Sequence, residues 1–214
     1  MAQKTKALTP ILTAQPVVPV VVVDTAREAV DLARALAKGG LTAIEITLRT
    51  PAALDAIRCV VEEVPEAVCG AGTVLNPRQF DQAVAAGSKF IVSPGATMEL
   101  LDAARASAVP LLPGAGTPSE VMAMIEEGYE LLKFFPAEQS GGASYLKSLS
   151  AVFPQVKFCP TGGISMKNVG DYLALPNIIC VGGSWVCPKD LVAAGNFDEI
   201  TRLASEAAGL AKKN

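Results

Sequence analysis

The stretch E-L-L-K-F-F-P-A-E, residues 130–138, has the alternating pattern of a β-strand and carries a lysine among large apolar residues. A period of two places Lys133 on one face with Leu131 and Phe135, opposite the other apolar side chains. Burying an ammonium group is costly unless the group is paired or loses its charge. The lysine in this strand therefore needs a physical reason.

Two interpretations of Lys133 are open. In the structural one, the side chain reaches solvent from the strand end or pairs with Glu130 or Glu138. In the chemical one, desolvation or a neighbouring cation favours the neutral amine, which can attack a ketone and form a Schiff base. The stretch by itself favours the structural interpretation, so the rest of the chain has to decide.

The same stretch is the sixth of eight apolar runs, each followed by a segment with helical periodicity. The first run, P-V-V-P-V-V-V-V, is apolar throughout, as in parallel strands that are buried on both faces. The predicted strands are residues 16–23, 42–49, 67–73, 89–95, 109–114, 130–138, 156–163 and 177–184. The predicted helices are residues 25–38, a segment opened by Pro51, and residues 77–86, 98–107, 118–127, 145–151, 166–173 and 197–211.

This repetition predicts an α/β fold, a (β/α)8 TIM barrel that forms a single domain over residues 1–214. A short helix or arm, up to about Thr13, precedes the first strand. An open doubly wound sheet is the alternative, but the sequence has neither a Walker loop nor a well-placed G-x-G-x-x-G motif.

The composition indicates a small-molecule partner. Half of the 214 residues are hydrophobic, which is enough for a large core, and the net charge is -3 without a basic cluster for nucleic acid. The apolar runs are too short to cross a bilayer, and the start M-A-Q-K-T-K lacks the apolar core of a secretory signal. We therefore expect a cytoplasmic protein with no membrane or nucleic-acid partner.

The five cysteines are odd in number and form no C-x-x-C pair, which predicts reduced thiols in the core. The chain has no histidine. Its absence removes the usual ligand of catalytic zinc and the serine–histidine and cysteine–histidine nucleophiles. Lysine, glutamate, aspartate, tyrosine, cysteine and arginine remain for chemistry.

Polar residues occur late in the second predicted strand, and the active site of a (β/α)8 barrel lies at the carboxyl ends of its strands. Glu45, Thr47 and Arg49 share one face of that strand. Glu45 and Lys133 can be mutual partners, either as a buried structural ion pair or with Glu45 moving protons beside a nucleophilic lysine. The residues leave both interpretations open.

Anion-binding groups follow at other strand ends. Arg49 can donate two parallel hydrogen bonds to a carboxylate, and Thr73 can add a hydroxyl donor to the same anion. The structural alternatives are a surface arginine bound to an acid and a threonine that caps the next helix. Two glycine pairs form a candidate phosphate cradle at the ends of strands seven and eight, where barrels commonly hold phosphate: Gly162, Gly163, Gly183 and Ser184.

With these residues in view, the chain resembles the 2-keto-3-deoxy-6-phosphogluconate (KDPG) aldolases, a class I aldolase family that also contains the 4-hydroxy-2-oxoglutarate (KHG) aldolases. Seven segments follow the family's order: P-V-V-P-V, G-G-L-T-A-I-E-I-T-L-R-T, G-A-G-T-V-L-N, S-P-G, K-F-F-P-A-E, F-C-P-T-G-G-I and V-G-G-S-W. The resemblance implies that Lys133 forms an imine with pyruvate and that Glu45 is the general acid and base, working through a water. It implies that Arg49 and Thr73 hold the pyruvate carboxylate.

The resemblance also implies the rest of the site. Phe135 and Pro94 look like apolar walls around the imine. By the same resemblance, the hydroxyls and the phosphate of the substrate are expected to bind on the side formed by Thr161, Gly162, Gly163 and Ser184. The implied protein is a cytoplasmic homotrimer without metal or cofactor.

The implied reaction is cleavage of KDPG to pyruvate and glyceraldehyde 3-phosphate in the Entner–Doudoroff pathway, with side activity on 4-hydroxy-2-oxoglutarate. Three rival hypotheses are an aldolase of the unphosphorylated substrate, a metal-dependent aldolase, which the absence of histidine disfavours, and a non-catalytic barrel that binds a sugar phosphate.

Overall fold

The computed structural model describes residues 4–210, in which eight strands alternate with helices. The strands are β1 (Val17–Val21), β2 (Ala43–Thr47), β3 (Val68–Gly72), β4 (Ile91–Val92), β5 (Leu111–Leu112), β6 (Leu131–Phe134), β7 (Lys157–Pro160) and β8 (Val181–Gly183). The helices are α1 (Thr5–Thr13), α2 (Ala26–Lys38), α3 (Ala53–Glu63), α4 (Pro77–Ala85), α5 (Met98–Ala106), α6 (Pro118–Glu126), α7 (Gly142–Val152), α8 (Val169–Leu173), α9 (Lys189–Ala193) and α10 (Phe197–Ala208).

The strands form a closed parallel barrel. Six of them pair in the order β5-β4-β3-β2-β1-β8, and β6 pairs with β7. A parallel bridge between Gly114 and Lys133 joins the end of β5 to β6, and one between Thr161 and Gly182 joins the end of β7 to β8. Each strand therefore neighbours its successor and β8 returns to β1, which confirms the predicted (β/α)8 barrel over the open sheet.

Most predicted elements are present, but their bounds differ. The paired strands are shorter than the apolar runs, although single residues outside them, such as Leu48 and Ser93, still donate to a neighbouring strand. The eighth strand begins at Val181, and Asn177 instead donates through Nδ2 to the carbonyl of Leu146. Pro51 lies in a turn ahead of α3, which begins at Ala53.

The helical predictions differ at the end of the chain. The sequence did not predict α9, a helix of five residues. The last helix is confirmed from Phe197 to Ala208, whereas its predicted end at Ala211 lies outside the described residues. No helix within residues 4–210 combines the length and apolar character needed to cross a membrane.

Buried apolar residues form two clusters, one between the sheet and the outer helices and one inside the barrel. The inner one, which we call the lumen cluster, consists of Leu8, Leu12, Val18, Phe90, Val92, Leu112, Leu131, Cys159 and Cys180. Its members from α1, Leu8 and Leu12, are 0% and 1% exposed. The N-terminal helix thus closes the amino-terminal end of the barrel with apolar side chains and leaves the other end for polar residues.

The cysteines lie mainly in these cores. Four of them are buried, and Cys159 and Cys180 bring their Sγ atoms to 3.5 Å of each other on neighbouring strands. Burial raises the pKa of the Cys69 and Cys187 thiols to about 12, because a thiolate is poorly stabilised there. These two side chains therefore act as small apolar groups at neutral pH.

Leu12→Ala removes a buried side chain from the lumen cluster and leaves a cavity. We expect it to lower the free energy of unfolding by about 2–5 kcal/mol in equilibrium urea denaturation. Leu75→Ala is the matched control, because Leu75 is 53% exposed and should change stability by less than about 0.5 kcal/mol. Equal effects of the two substitutions would contradict the role of α1 in the lumen.

Candidate active site

Lys133 and Glu45 meet inside the barrel, on β6 and β2. Lys133 Nζ lies 3.1 Å from Glu45 Oε1, and the two side chains are 5% and 4% exposed. The period-two assignment of β6 is confirmed, since Leu131 belongs to the lumen cluster while Leu132 and Phe134 pack in the outer core. The structural interpretation paired Lys133 with Glu130 or Glu138, but the partner of the lysine is Glu45.

The side chain of Glu45 fits because β3 has a glycine beside it. A Cβ atom at Gly72 would lie 2.0 Å from Glu45 Oε1, a separation that no real contact allows. Sequence reasoning passed over Gly72, although a glycine inside a strand is a recognised sign that another group approaches the backbone closely. The contact between Glu45 and Lys133 thus depends on the absence of a side chain at position 72 of β3.

The pair lies in an environment that strengthens electrostatic interactions. The Nζ atom of Lys133 is 5.6 Å from the centre of the Phe135 ring, so an aromatic face borders the cation. Few water molecules can screen two groups with so little exposure, and removing either partner would leave the other buried and unpaired. An amine and a carboxylate in contact under these conditions can exchange a proton and present a nucleophile beside a base.

Arg49 and Thr73 come together at the mouth of the barrel. Arg49 Nε donates to Thr73 Oγ1 at 3.2 Å, and the guanidinium forms no ion pair with a carboxylate of residues 4–210. Asn76, not Thr73, caps α4, because its side chain accepts from Gln79 N–H. Both structural alternatives for these two residues are therefore absent from the described structure.

The backbone of Thr73 is strained. Its φ angle is +57°, in the left-handed region that β-branched residues avoid, and such a conformation costs about 1–3 kcal/mol. The flanking hydrogen bonds hold it there: Leu48 N–H donates to Gly72 at 2.8 Å, and Val74 N–H donates to Val92 at 3.2 Å. Strain of this kind concentrates at functional sites, here at the hydroxyl beside Arg49.

The predicted phosphate-side residues line a cleft of about 370 Å³ at the carboxyl ends of the strands. It contains Arg49, Phe135, Thr161, Gly162, Gly163 and Ser184. Gly163 has a φ angle of +74°, and a Cβ there would lie 2.6 Å from Glu138 Cγ, so this turn requires glycine. The buried Gly183 is not part of the lining of the cleft but lies between two residues that are, Gly182 and Ser184, and packs against the ring of Trp185.

Polar groups in this cleft lack partners. Thr161 Oγ1 is buried without a hydrogen-bond partner in the described structure. The N–H groups of Gly163 and Ser184 likewise find no acceptor among residues 4–210. Of these groups, only Thr161 Oγ1 is buried, and a buried polar atom is rarely left unsatisfied, whereas the N–H groups of the exposed Gly163 and Ser184 are open to solvent or to a ligand.

Pro94 lies apart from this cleft. It lines a second one, of about 360 Å³, that also contains Gly95, Gly114 and Glu120 and shares Phe135 with the first. Phe135 thus forms a wall between the two clefts. Within residues 4–210, no group of three or more carboxylate or thiol side chains is placed to hold a metal ion.

The family model "Aldolase: KDPG and KHG aldolase" matches residues 8–203. The chain belongs to the KDPG and KHG aldolase family. It is 52% identical over 202 residues to the KHG/KDPG aldolase of Escherichia coli K12, covering 94% of this chain and 95% of that protein. It is 51% identical over 197 residues to the 2-dehydro-3-deoxy-phosphogluconate aldolase of Dickeya dadantii, covering 92% of each.

Two solved structures of relatives share the fold. The KDPG aldolase of Legionella pneumophila, with pyruvate captured at low pH as a covalent carbinolamine intermediate, has a TM-score of 0.92 at 47% identity. The alignment covers 94% of this chain and 98% of that one. The KDPG aldolase of Zymomonas mobilis ZM4 with 3-phosphoglycerate has a TM-score of 0.90 at 46% identity and covers 97% of each chain.

Gly72→Ala should displace the Glu45 carboxylate, because the new methyl group would occupy the same space. We expect a loss of about 1–3 kcal/mol in the free energy of unfolding. A crystal structure of the variant should show Glu45 moved away from Lys133. Gly95→Ala is the control, since a Cβ there meets nothing within 4 Å. An unmoved carboxylate in the Gly72 variant would contradict this account.

Proposed function

We propose that this protein is a class I aldolase that cleaves KDPG to pyruvate and glyceraldehyde 3-phosphate and also cleaves 4-hydroxy-2-oxoglutarate. The observation that carries the proposal is the contact between Lys133 and Glu45 inside the barrel of a KDPG and KHG aldolase family member. The proposal includes a single domain over residues 1–214, a cytoplasmic homotrimer and a place in the Entner–Doudoroff pathway, for which the family resemblance is the support.

In the first half of the reaction, Lys133 Nζ attacks the C2 ketone of the substrate and forms a carbinolamine. Loss of the C2 oxygen as water gives a protonated imine, which can accept an electron pair. The pyruvate carbinolamine of the Legionella relative supports this chemistry. Glu45 is the group in contact with the amine and takes up and returns the protons of these steps, directly or through a water.

In the second half, Glu45 or its water removes the proton of the C4 hydroxyl. The C3–C4 bond breaks, its electron pair moves into the imine as an enamine, and the aldehyde leaves as glyceraldehyde 3-phosphate. Protonation of the enamine at C3 and hydrolysis of the imine release pyruvate and regenerate the amine. The same carboxylate thus acts as base and then as acid.

The remaining residues hold the substrate. Arg49 and Thr73, already joined by a 3.2 Å hydrogen bond, bind the carboxylate next to the ketone. Phe135 and Pro94 form the apolar walls on either side of the imine. Phosphate and hydroxyl groups occupy the side formed by Thr161, Gly162, Gly163, Gly183 and Ser184.

A non-catalytic barrel that binds a sugar phosphate is the rival proposal. Such a protein needs the cleft but has no use for a buried lysine and carboxylate in contact. Because this pair adds no ligand-binding surface and carries a desolvation penalty, its presence favours the enzyme.

Borohydride reduction in the presence of pyruvate should attach a stable pyruvyl adduct to Lys133, because reduction traps the imine. Peptide mass spectrometry locates the adduct. Lys133→Ala should form none and should lose cleavage activity, whereas the control Lys147→Ala, at an exposed position of α7, should behave as the wild type. Full cleavage by Lys133→Ala, or absence of the adduct in a protein that binds pyruvate, would exclude the imine mechanism.

Glu45→Gln keeps the shape of the side chain but removes its basicity. We expect the adduct with pyruvate still to form, while the turnover number for KDPG falls roughly 10²- to 10⁴-fold. Exchange of the pyruvate methyl protons with deuterated water, followed by nuclear magnetic resonance, should slow in parallel. Glu62→Gln, at an exposed position of α3, is the control, and equal proton exchange in the two variants would remove Glu45 from proton transfer.

A further inference from the structure

Lys189 lies at the edge of the cleft that contains Arg49, Thr161 and Ser184, and neither the sequence patterns nor the proposed mechanism uses it. It is the first residue of α9, the helix that follows the end of β8, and its side chain lines the cleft. The residue is exposed, so its ammonium group is in contact with solvent.

The charges around the two clefts differ in sign. Among the described residues, the lining of this cleft has two basic side chains, Arg49 and Lys189, and no carboxylate. The second cleft, at Pro94, is lined by Glu120 and by no basic side chain. A substrate with an anionic group at each end therefore fits the first cleft, with one cation for each group.

Lys189 is also available for a ligand. It lines a small adjoining cavity of about 210 Å³ together with Asp24 and Glu28, yet it forms an ion pair with neither of them. No hydrogen bond of its ammonium group is made within residues 4–210. Because the other donors on this side, including the N–H groups of Gly163 and Ser184, are neutral, Lys189 is the group there that supplies a positive charge.

We infer that Lys189 pairs with the phosphate of the substrate and sets the preference of this enzyme for phosphorylated over unphosphorylated keto acids. The inference rests on the proposed function and adds a specificity residue to it. Arg49 serves the carboxylate that both substrates share, whereas Lys189 meets a group that only the phosphorylated substrate carries. The second anionic group of 4-hydroxy-2-oxoglutarate is a singly charged carboxylate bonded directly to C4, whereas KDPG carries its phosphate further out, on C6. The phosphate therefore reaches a cation at the edge of the cleft and gains a charge-assisted hydrogen bond that the shorter substrate makes less well.

The test compares steady-state kinetics of wild type, Lys189→Ala and Lys189→Arg with KDPG and with 4-hydroxy-2-oxoglutarate. We expect Lys189→Ala to raise the KM for KDPG and to lower the ratio of kcat/KM for KDPG to that for 4-hydroxy-2-oxoglutarate roughly 5- to 20-fold. Lys189→Arg keeps the charge and should restore most of the ratio. Lys147→Ala is the matched control and should leave it unchanged.

Two outcomes overturn the inference: an unchanged ratio in Lys189→Ala, or a decrease in kcat for both substrates to the same extent, as a structural defect would cause. A binding experiment separates this inference from the proposed function, because it needs no turnover. Glycerol 3-phosphate, titrated calorimetrically, should bind the wild type more tightly than Lys189→Ala, with a difference that shrinks at high salt. If the wild type cleaved neither substrate but still bound glycerol 3-phosphate more tightly than Lys189→Ala, the aldolase proposal would be rejected and the anion site would remain. Equal affinities of the two proteins for glycerol 3-phosphate would reject the role of Lys189.

Discussion

The site depends on one constraint, which is that an amine and a carboxylate must remain in contact where water hardly reaches them. Lys133 and Glu45 satisfy it at 3.1 Å, from strands that lie across the barrel from each other. Two neighbouring features serve that contact. Gly72 leaves the space that Glu45 fills, and the lumen cluster below the pair excludes water from the amino-terminal end of the barrel. Buried opposite charges add little net stability to a protein, so chemistry is the better explanation for keeping them.

The barrel is therefore divided along its axis. Its amino-terminal half is an ordinary apolar core, closed by Leu8 and Leu12 of α1. Its carboxyl-terminal half holds the charged pair and then opens at Arg49 and the glycine turns. Strain at Thr73 belongs to this second half, because hydrogen bonds to two neighbouring strands hold the residue in a conformation it would otherwise avoid. The packing of the amino-terminal half stabilises a fold that can tolerate the unfavourable φ angle of Thr73 in the carboxyl-terminal half.

Much of this was predictable from the sequence, for physical reasons that also explain the omissions. Alternate residues of a strand must face opposite sides, so the pattern around Lys133 was sufficient to place it inside the barrel. Its partner lies 88 positions away, and only a fold hypothesis could bring the two together. Gly72 was missed because it matters only through the space that it leaves for the Glu45 side chain on the neighbouring strand. The short helix α9 has too few residues for a periodic signal, and it depends on the surrounding packing for its stability.

The residues proposed for chemistry and the residue proposed for substrate preference lie on different parts of the fold. Lys133 and Glu45 lie on strands that are each hydrogen-bonded to their neighbours, where a small displacement would disturb the barrel itself, so the two groups proposed to react are held rigidly. Lys189 lies beyond the end of β8, on a segment whose backbone the barrel does not constrain in the same way. A change there alters which anion is favoured at the far end of the cleft without moving the amine. Under the proposed mechanism, the fold thus separates the groups that break the bond from the charge that selects the substrate, and substitutions outside the barrel can retune the second without damaging the first.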